Sequence, residues 1–140
     1  MNMTRPILLV EDNPMDVDLT LRAFEECKLA IPIEIARDGE EALAWIPRWE
    51  AGVPRPVVIL LDVNMPKVGG LEVLRELKSH PVLRTIPVVM LTTSSMSQDV
   101  QAAYEFGANS YIVKPVSFDR FMEVAAQIEV YWATLNQLPQ

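Results

Sequence analysis

Residues 57–70 read VVILLDVNMPKVGG. The apolar run at 57–61 is unbroken, ends on a carboxylate at Asp62, and passes into a segment carrying Pro66, Gly69 and Gly70. An unbroken run suits a strand covered on both faces, which is the situation inside a parallel sheet. The same design recurs at 7–10 (ILLV), 88–91 (VVML) and 111–113 (YIV). Ile33 and Ile35 flank Glu34, so that strand alternates and is expected nearer an edge.

Helical spacing fills the intervals. Asn13 is placed to cap a helix that has Pro14 at its first position and Val17, Leu21, Phe24 and Cys27 along one side. Asp38 and Glu41 have capping-box spacing ahead of Ala42, Leu43 and Ile46. Pro47 is expected to end or kink that helix, with 51–56 a surface loop. Leu71, Leu74 and Leu77 mark a third helix, and a fourth over 97–106 stops at Gly107. The last begins near Ser117 and carries Phe118, Phe121, Met122, Ala125 and Ile128. Strand and helix alternate five times, which predicts a doubly wound, three-layer α/β fold with a five-stranded parallel sheet.

The composition agrees. A chain of 140 residues, half of them apolar, makes one domain without disulfides or metal staples. Its 19 Asp and Glu against 12 Lys and Arg, a net charge of −7, argue against a nucleic-acid or anionic-membrane surface. A single cysteine excludes an internal disulfide framework and points to a reducing, cytoplasmic setting. No apolar run is long enough for a membrane span or a signal-peptide core.

In open parallel sheets, function gathers outside the carboxyl ends of the strands. Those ends carry Glu11 and Asp12, Asp62, Thr92, and Lys114 followed by Pro115. One such charge is ordinary; three carboxylates, a hydroxyl and an ammonium on one rim are not. Two carboxylates about 4 Å apart repel by roughly 4 kcal/mol at an effective dielectric near 20, and one lysine cannot offset three. A divalent cation can, and an all-oxygen donor set favours Mg²⁺. Asp62 is then the candidate nucleophile for in-line attack on a phosphoryl group, with Lys114 and Thr92 holding phosphoryl oxygens. A phosphohydrolase is the rival reading; such enzymes commonly need a second carboxylate two residues after the nucleophile, where this chain has Asn64, whose amide cannot move protons.

The motifs LLVEDN (8–13), VILLDVNMPKVGG (58–70), PVVMLTTSS (87–95) and NSYIVKPV (109–116) stand in the order seen in receiver domains of two-component response regulators, which the chain resembles over about 6–128. The resemblance implies a flavodoxin-like (βα)5 fold with strand order 2-1-3-4-5. It implies that Asp62 accepts phosphate from a sensor histidine kinase. Asp12 and Asp62 would be direct Mg²⁺ ligands, Glu11 would act through water, and Asn64 would offer its backbone carbonyl. Thr92 and Tyr111 match the switch hydroxyl and aromatic, Lys114 the family's lysine, and a cis peptide is implied between Lys114 and Pro115. Gly69 and Val68 depart from residues frequent in the family, outside the acidic pocket.

Within that family, EDNPMDVDLTLRAFEE (11–26), LTTSS (91–95) and IEVYWATLNQLP (128–139) are most similar to stand-alone regulators paired with cyanobacterial phytochromes. The expected organisation is a receiver domain over 1–128 and a helix extension and tail over 129–140, without an output domain. Signalling is therefore expected through a changed surface that a downstream protein reads. A last helix of roughly 20 residues spans about 30 Å, whereas a five-residue strand spans only about 17 Å. Its final turns should overshoot the sheet and present Val130, Tyr131, Trp132 and Leu135 to a partner, expected to be a second copy.

Overall fold

The protein is described by a computed structural model covering residues 5–26, 31–115 and 117–138. Cys27, expected on the inner side of the first helix, lies outside the described residues. Strands β1 (Ile7–Val10), β2 (Ile33–Ala36), β3 (Val58–Leu61), β4 (Val88–Thr92) and β5 (Ser110–Val113) form one sheet in the order β2-β1-β3-β4-β5. Every neighbouring pair is parallel. Helices α1 (Pro14–Glu26), α2 (Gly39–Glu50), α3 (Gly70–Ser79), α4 (Ser97–Glu105) and α5 (Phe118–Ile128) connect and flank them.

The unbroken apolar runs divide by parity. Leu8, Val10, Ile59, Leu61, Val88 and Met90 pack on Val73, Leu74 and Leu77 of α3 and on Ala42 and Ala103 of α2 and α4. Ile7, Leu9, Val58, Leu60, Val89 and Leu91 pack on Phe24 of α1 and on Phe121, Ala125 and Ile128 of α5. Successive side chains thus enter two separate cores, and the sheet needs no polar face. β5 differs from the expectation of burial on both sides. As the edge opposite β2 it is only half-buried, and Val113 is 44% exposed.

Pro47 does not end α2, which runs on to Glu50. Proline removes one backbone donor, but the helix closes past it, with Ala51 N donating to Pro47 O at 3.0 Å. Trp45 and Trp49 consequently share a face, stacked at 6.0 Å, with the Arg48 guanidinium 4.6 Å over the Trp45 ring. The caps fall where the sequence placed them. Asn13 Oδ1 accepts from Met15 N and Asp16 N, Asp38 Oδ1 from Glu41 N, and Ser117 Oγ from Arg120 N. Gly107, at φ +102°, follows the C-cap of α4 in the left-handed conformation that suits glycine. After α5 the chain continues as a π-helical segment, Glu129–Leu135, closed by Asn136 N donating to Tyr131 O at 2.6 Å.

Candidate functional site

Pairing of β1 with β3, and of β3 with β4, brings the carboxyl ends of these strands side by side, so the residues following each run meet on one rim. Oxygens of Glu11, Asp12 and Asp62 all lie within 4.8 Å of one another. Glu11 and Asp62 are buried and Asp12 is exposed. Lys114 reaches the cluster from the end of β5. Its Nζ donates to Glu11 Oε1 and lies 3.2 Å from Asp16 Oδ2 and 3.5 Å from Asp62 Oδ2, with the side chain 6% exposed. Lys114 N also donates to Thr92 O at 2.7 Å, tying the two strand ends together.

The local chain builds this rim. Glu11 Oε2 accepts from Asn13 N at 3.1 Å, so the carboxylate folds back onto the start of α1. Asp62 Oδ1 accepts from Asn64 N at 3.2 Å, fixing the carboxylate against its own loop. Gly70 is needed there: a Cβ would sit 1.8 Å from Asp62 O, and its N–H donates to Val63 O at 2.9 Å.

Charge at the site is unbalanced. Four carboxylates, those of Glu11, Asp12, Asp16 and Asp62, face one ammonium. Burial, reinforced by the charge of Asp62, pushes the Glu11 carboxyl up to about 7 against the opposing pull of Lys114 and Asn13 N. Burial alone would lower the Lys114 ammonium, but its hydrogen bond to Glu11 and the charges of Asp62, Glu11 and Asp16 outweigh it and raise the group. Such a nest of oxygens fits a hard divalent cation, which needs oxygen ligands and offsets their repulsion.

Around the rim, Thr92 is fully buried and its Oγ1 accepts from Ser94 N at 3.3 Å. Ser94 Oγ donates to Asp99 Oδ2 at 2.6 Å. The Tyr111 hydroxyl donates to Ser94 O at 3.0 Å, and burial raises this phenol above its ordinary value. The aromatic is therefore latched to the segment following Thr92. Asn64 is exposed, with its backbone N–H turned to Asp62. The Lys114–Pro115 bond is trans, contrary to the expected cis form, since no described peptide bond is cis. The two isomers of a bond preceding proline differ by only about 0.5–1 kcal/mol, so the sequence alone does not fix the choice.

Two partners escaped the sequence reading. Asp16 lies in the first turn of α1, one turn beyond the Asn13 cap, and faces Lys114. The motif ending at Asn13 gave no reason to look further; a helix starting directly at the rim did. Asp99 sits at the corresponding place in α4, where an acid in a first turn reads simply as a favourable dipole contact. The last-helix residues lie apart from the rim. Val130, Tyr131 and Leu135 are 52%, 51% and 68% exposed, whereas Trp132 is half-buried against the α1/α5 core and meets Tyr131 edge-on at 4.8 Å.

Residues 7–126 match the response regulator receiver domain family. The "Probable methanogenesis regulatory protein FilR2" of Methanothrix harundinacea is 43% identical over 136 residues, 95% of this chain and 86% of that protein. Response regulator Rcp1 of Synechocystis sp. is 39% identical over 140 residues, 99% and 95% of the two chains. The Mn²⁺-bound form of Rcp1 superposes with a TM-score of 0.86, covering 97% of this chain and 99% of that one. The phosphorylated cyanobacterial phytochrome response regulator RcpA does so with a TM-score of 0.89 at 37% identity, covering 99% and 100%.

Proposed function

The chain belongs to the response regulator receiver domain family, and we propose that it acts as a phosphorylation switch in which Asp62 accepts a phosphoryl group from a sensor histidine kinase, of the phytochrome-linked kind. The observation carrying this reading is the acidic trio of Glu11, Asp12 and Asp62 with Lys114 Nζ 3.5 Å from Asp62 Oδ2.

In the step itself, a carboxylate oxygen of Asp62 attacks phosphorus and forms a P–O bond while the P–N bond of a phosphohistidine breaks. The departing imidazole nitrogen keeps the bonding pair and is protonated from solvent. Lys114, already beside Asp62, holds a phosphoryl oxygen by charge, and the Thr92 hydroxyl holds another once it turns from Ser94 N. Asp12 and Asp62 would bind Mg²⁺ directly, Glu11 through water and Asn64 through its carbonyl; the cation supplies charge neutralisation for the incoming phosphoryl group. Asn64, an amide, supplies no base for hydrolysis, so the aspartyl phosphate is a signal and the protein is no metabolic enzyme.

The surface output follows from the latch. Drawing Thr92 toward phosphate disturbs the segment that Tyr111 and Asp99 both grip through Ser94, and Tyr111 moves inward. The readout is a downstream protein, in a cytoplasmic setting, for a receiver over 1–128 followed by a helix extension and tail over 129–140. The exposed Val130, Tyr131 and Leu135, with Trp132 beneath, support pairing with a second copy. Incubation with Mg²⁺ and acetyl phosphate tests the reading: a base-labile, acid-stable adduct forms on Asp62 and is lost in Asp62→Asn. No adduct on the native protein, or one that persists in the variant, overturns it.

A further inference from the structure

The acidic rim occupies the carboxyl ends of the strands, but a cleft of about 650 Å³ opens at the other end of the sheet. It lies between the segment following α2 and the segment leading into β4, with Arg5 from the approach to β1. We propose that this cleft binds a small organic monoanion, a carboxylate carrying an apolar body.

Its walls define the body. Trp49 is buried beneath it, while Val53 and Val82, 39% and 54% exposed, stand at its sides with Leu83. Its charges define the head group. Arg5 donates from Nε to Arg55 O at 2.8 Å and from Nη2 to Pro56 O at 3.0 Å, which holds the guanidinium at the cleft and, among the described residues, leaves Nη1 uncommitted. Arg55 lines the same cleft, and among the described residues neither arginine forms an ion pair. Burial, then the charge of Arg55, lowers the Arg5 group, which an anion placed between the two would reverse.

The count of charges selects a monoanion. Glu50 also lines the cleft, 3.1 Å from His80 Nε2. His80 Nδ1 accepts from both Val82 N and Leu83 N at 3.1 Å, which leaves Nε2 to meet Glu50. Two guanidiniums and one carboxylate leave a single positive charge in a chain whose net charge is −7. A dianion such as phosphate meets Glu50 as well, and a neutral ligand leaves the arginines unanswered. Cleft volume and mixed lining are those of an ordinary small-molecule site.

Titration of the ¹⁵N-labelled full chain with sodium benzoate, followed by amide shifts, tests this. Benzoate should saturate in the low millimolar range, moving amides of Trp49, Val53, Arg55 and Val82, and benzyl alcohol and inorganic phosphate should bind at least about tenfold more weakly. Arg55→Met and, separately, Val82→Asp should each weaken benzoate about tenfold, while both variants melt as the native protein does and still phosphorylate Asp62. Three results overturn the proposal: no shift at these amides, an equal response to benzyl alcohol or phosphate, or an unchanged affinity in both variants. Because the phosphorylation pocket is at the far end, failure here leaves the Asp62 reading intact, and the reverse holds.

Discussion

Lys114 Nζ stands 3.2 Å from Asp16 Oδ2, joining the end of β5 to the first turn of α1 across the acidic rim. The same ammonium contacts Glu11 and lies 3.5 Å from Asp62, so one cation holds acids from three elements together. Substitutions and titrations that touch it therefore act on both stability and chemistry.

Lys114→Met should destabilise the metal-free protein by on the order of 3 kcal/mol, because it leaves buried carboxylates uncompensated. Urea unfolding measures the loss, and saturating Mg²⁺ should return part of it. Phosphorylation by acetyl phosphate should fall at least about a hundredfold, as expected when a preorganised charge at the reacting group is removed.

Glu11 supplies a pH signature. Its carboxyl is raised to about 7 from an ordinary 4.5, so the folded state holds a proton that the unfolded chain has released. The resulting stability is complete below pH 4.5 and disappears as pH rises through about 7. Metal-free protein should thus lose stability across that window, measured by urea unfolding at fixed ionic strength. Glu11→Gln should flatten this part of the curve.

Gly70→Ala should cost at least about 2 kcal/mol and slow phosphorylation together, since its methyl would meet Asp62 O at 1.8 Å and move the reactive loop. Gly69→Ala is the control, because a Cβ there meets nothing nearer than Val63 O at 3.7 Å. Thermal melts and acetyl phosphate labelling of the two variants should separate them clearly.

Tyr131→Glu combined with Leu135→Glu should convert a dimer to a 15.8 kDa monomer in sedimentation, leaving the melting curve of the fold largely unchanged, because both side chains are at least half exposed. A native protein that already sediments as a monomer removes the dimer.

The sheet was legible because its signal is local: a buried strand must be apolar at consecutive positions, and 7–10, 57–61 and 88–91 are. The rim followed from where those runs stop. Pro47 misled as a stop signal: α2 carries it and runs on to Glu50, with Trp49 packed into the core at 6% exposure. Asp16 and Asp99 were illegible for another reason. Acids in first turns are common, and only the three-dimensional approach of Lys114 and Ser94 gives them partners. The half-exposure of β5 needed the strand order, since YIV reads as buried until it is known to lie at an edge.

The unbroken helical path through α5 and Glu129–Leu135 makes the last third of that path a mechanical lever. Phe121 and Ala125 pack in one core with α1, so a small tilt of α5 there would displace Leu135 further than it displaces the packed residues. A spin label or fluorophore at Leu135 would thus amplify motions that are hard to see at Tyr111 itself.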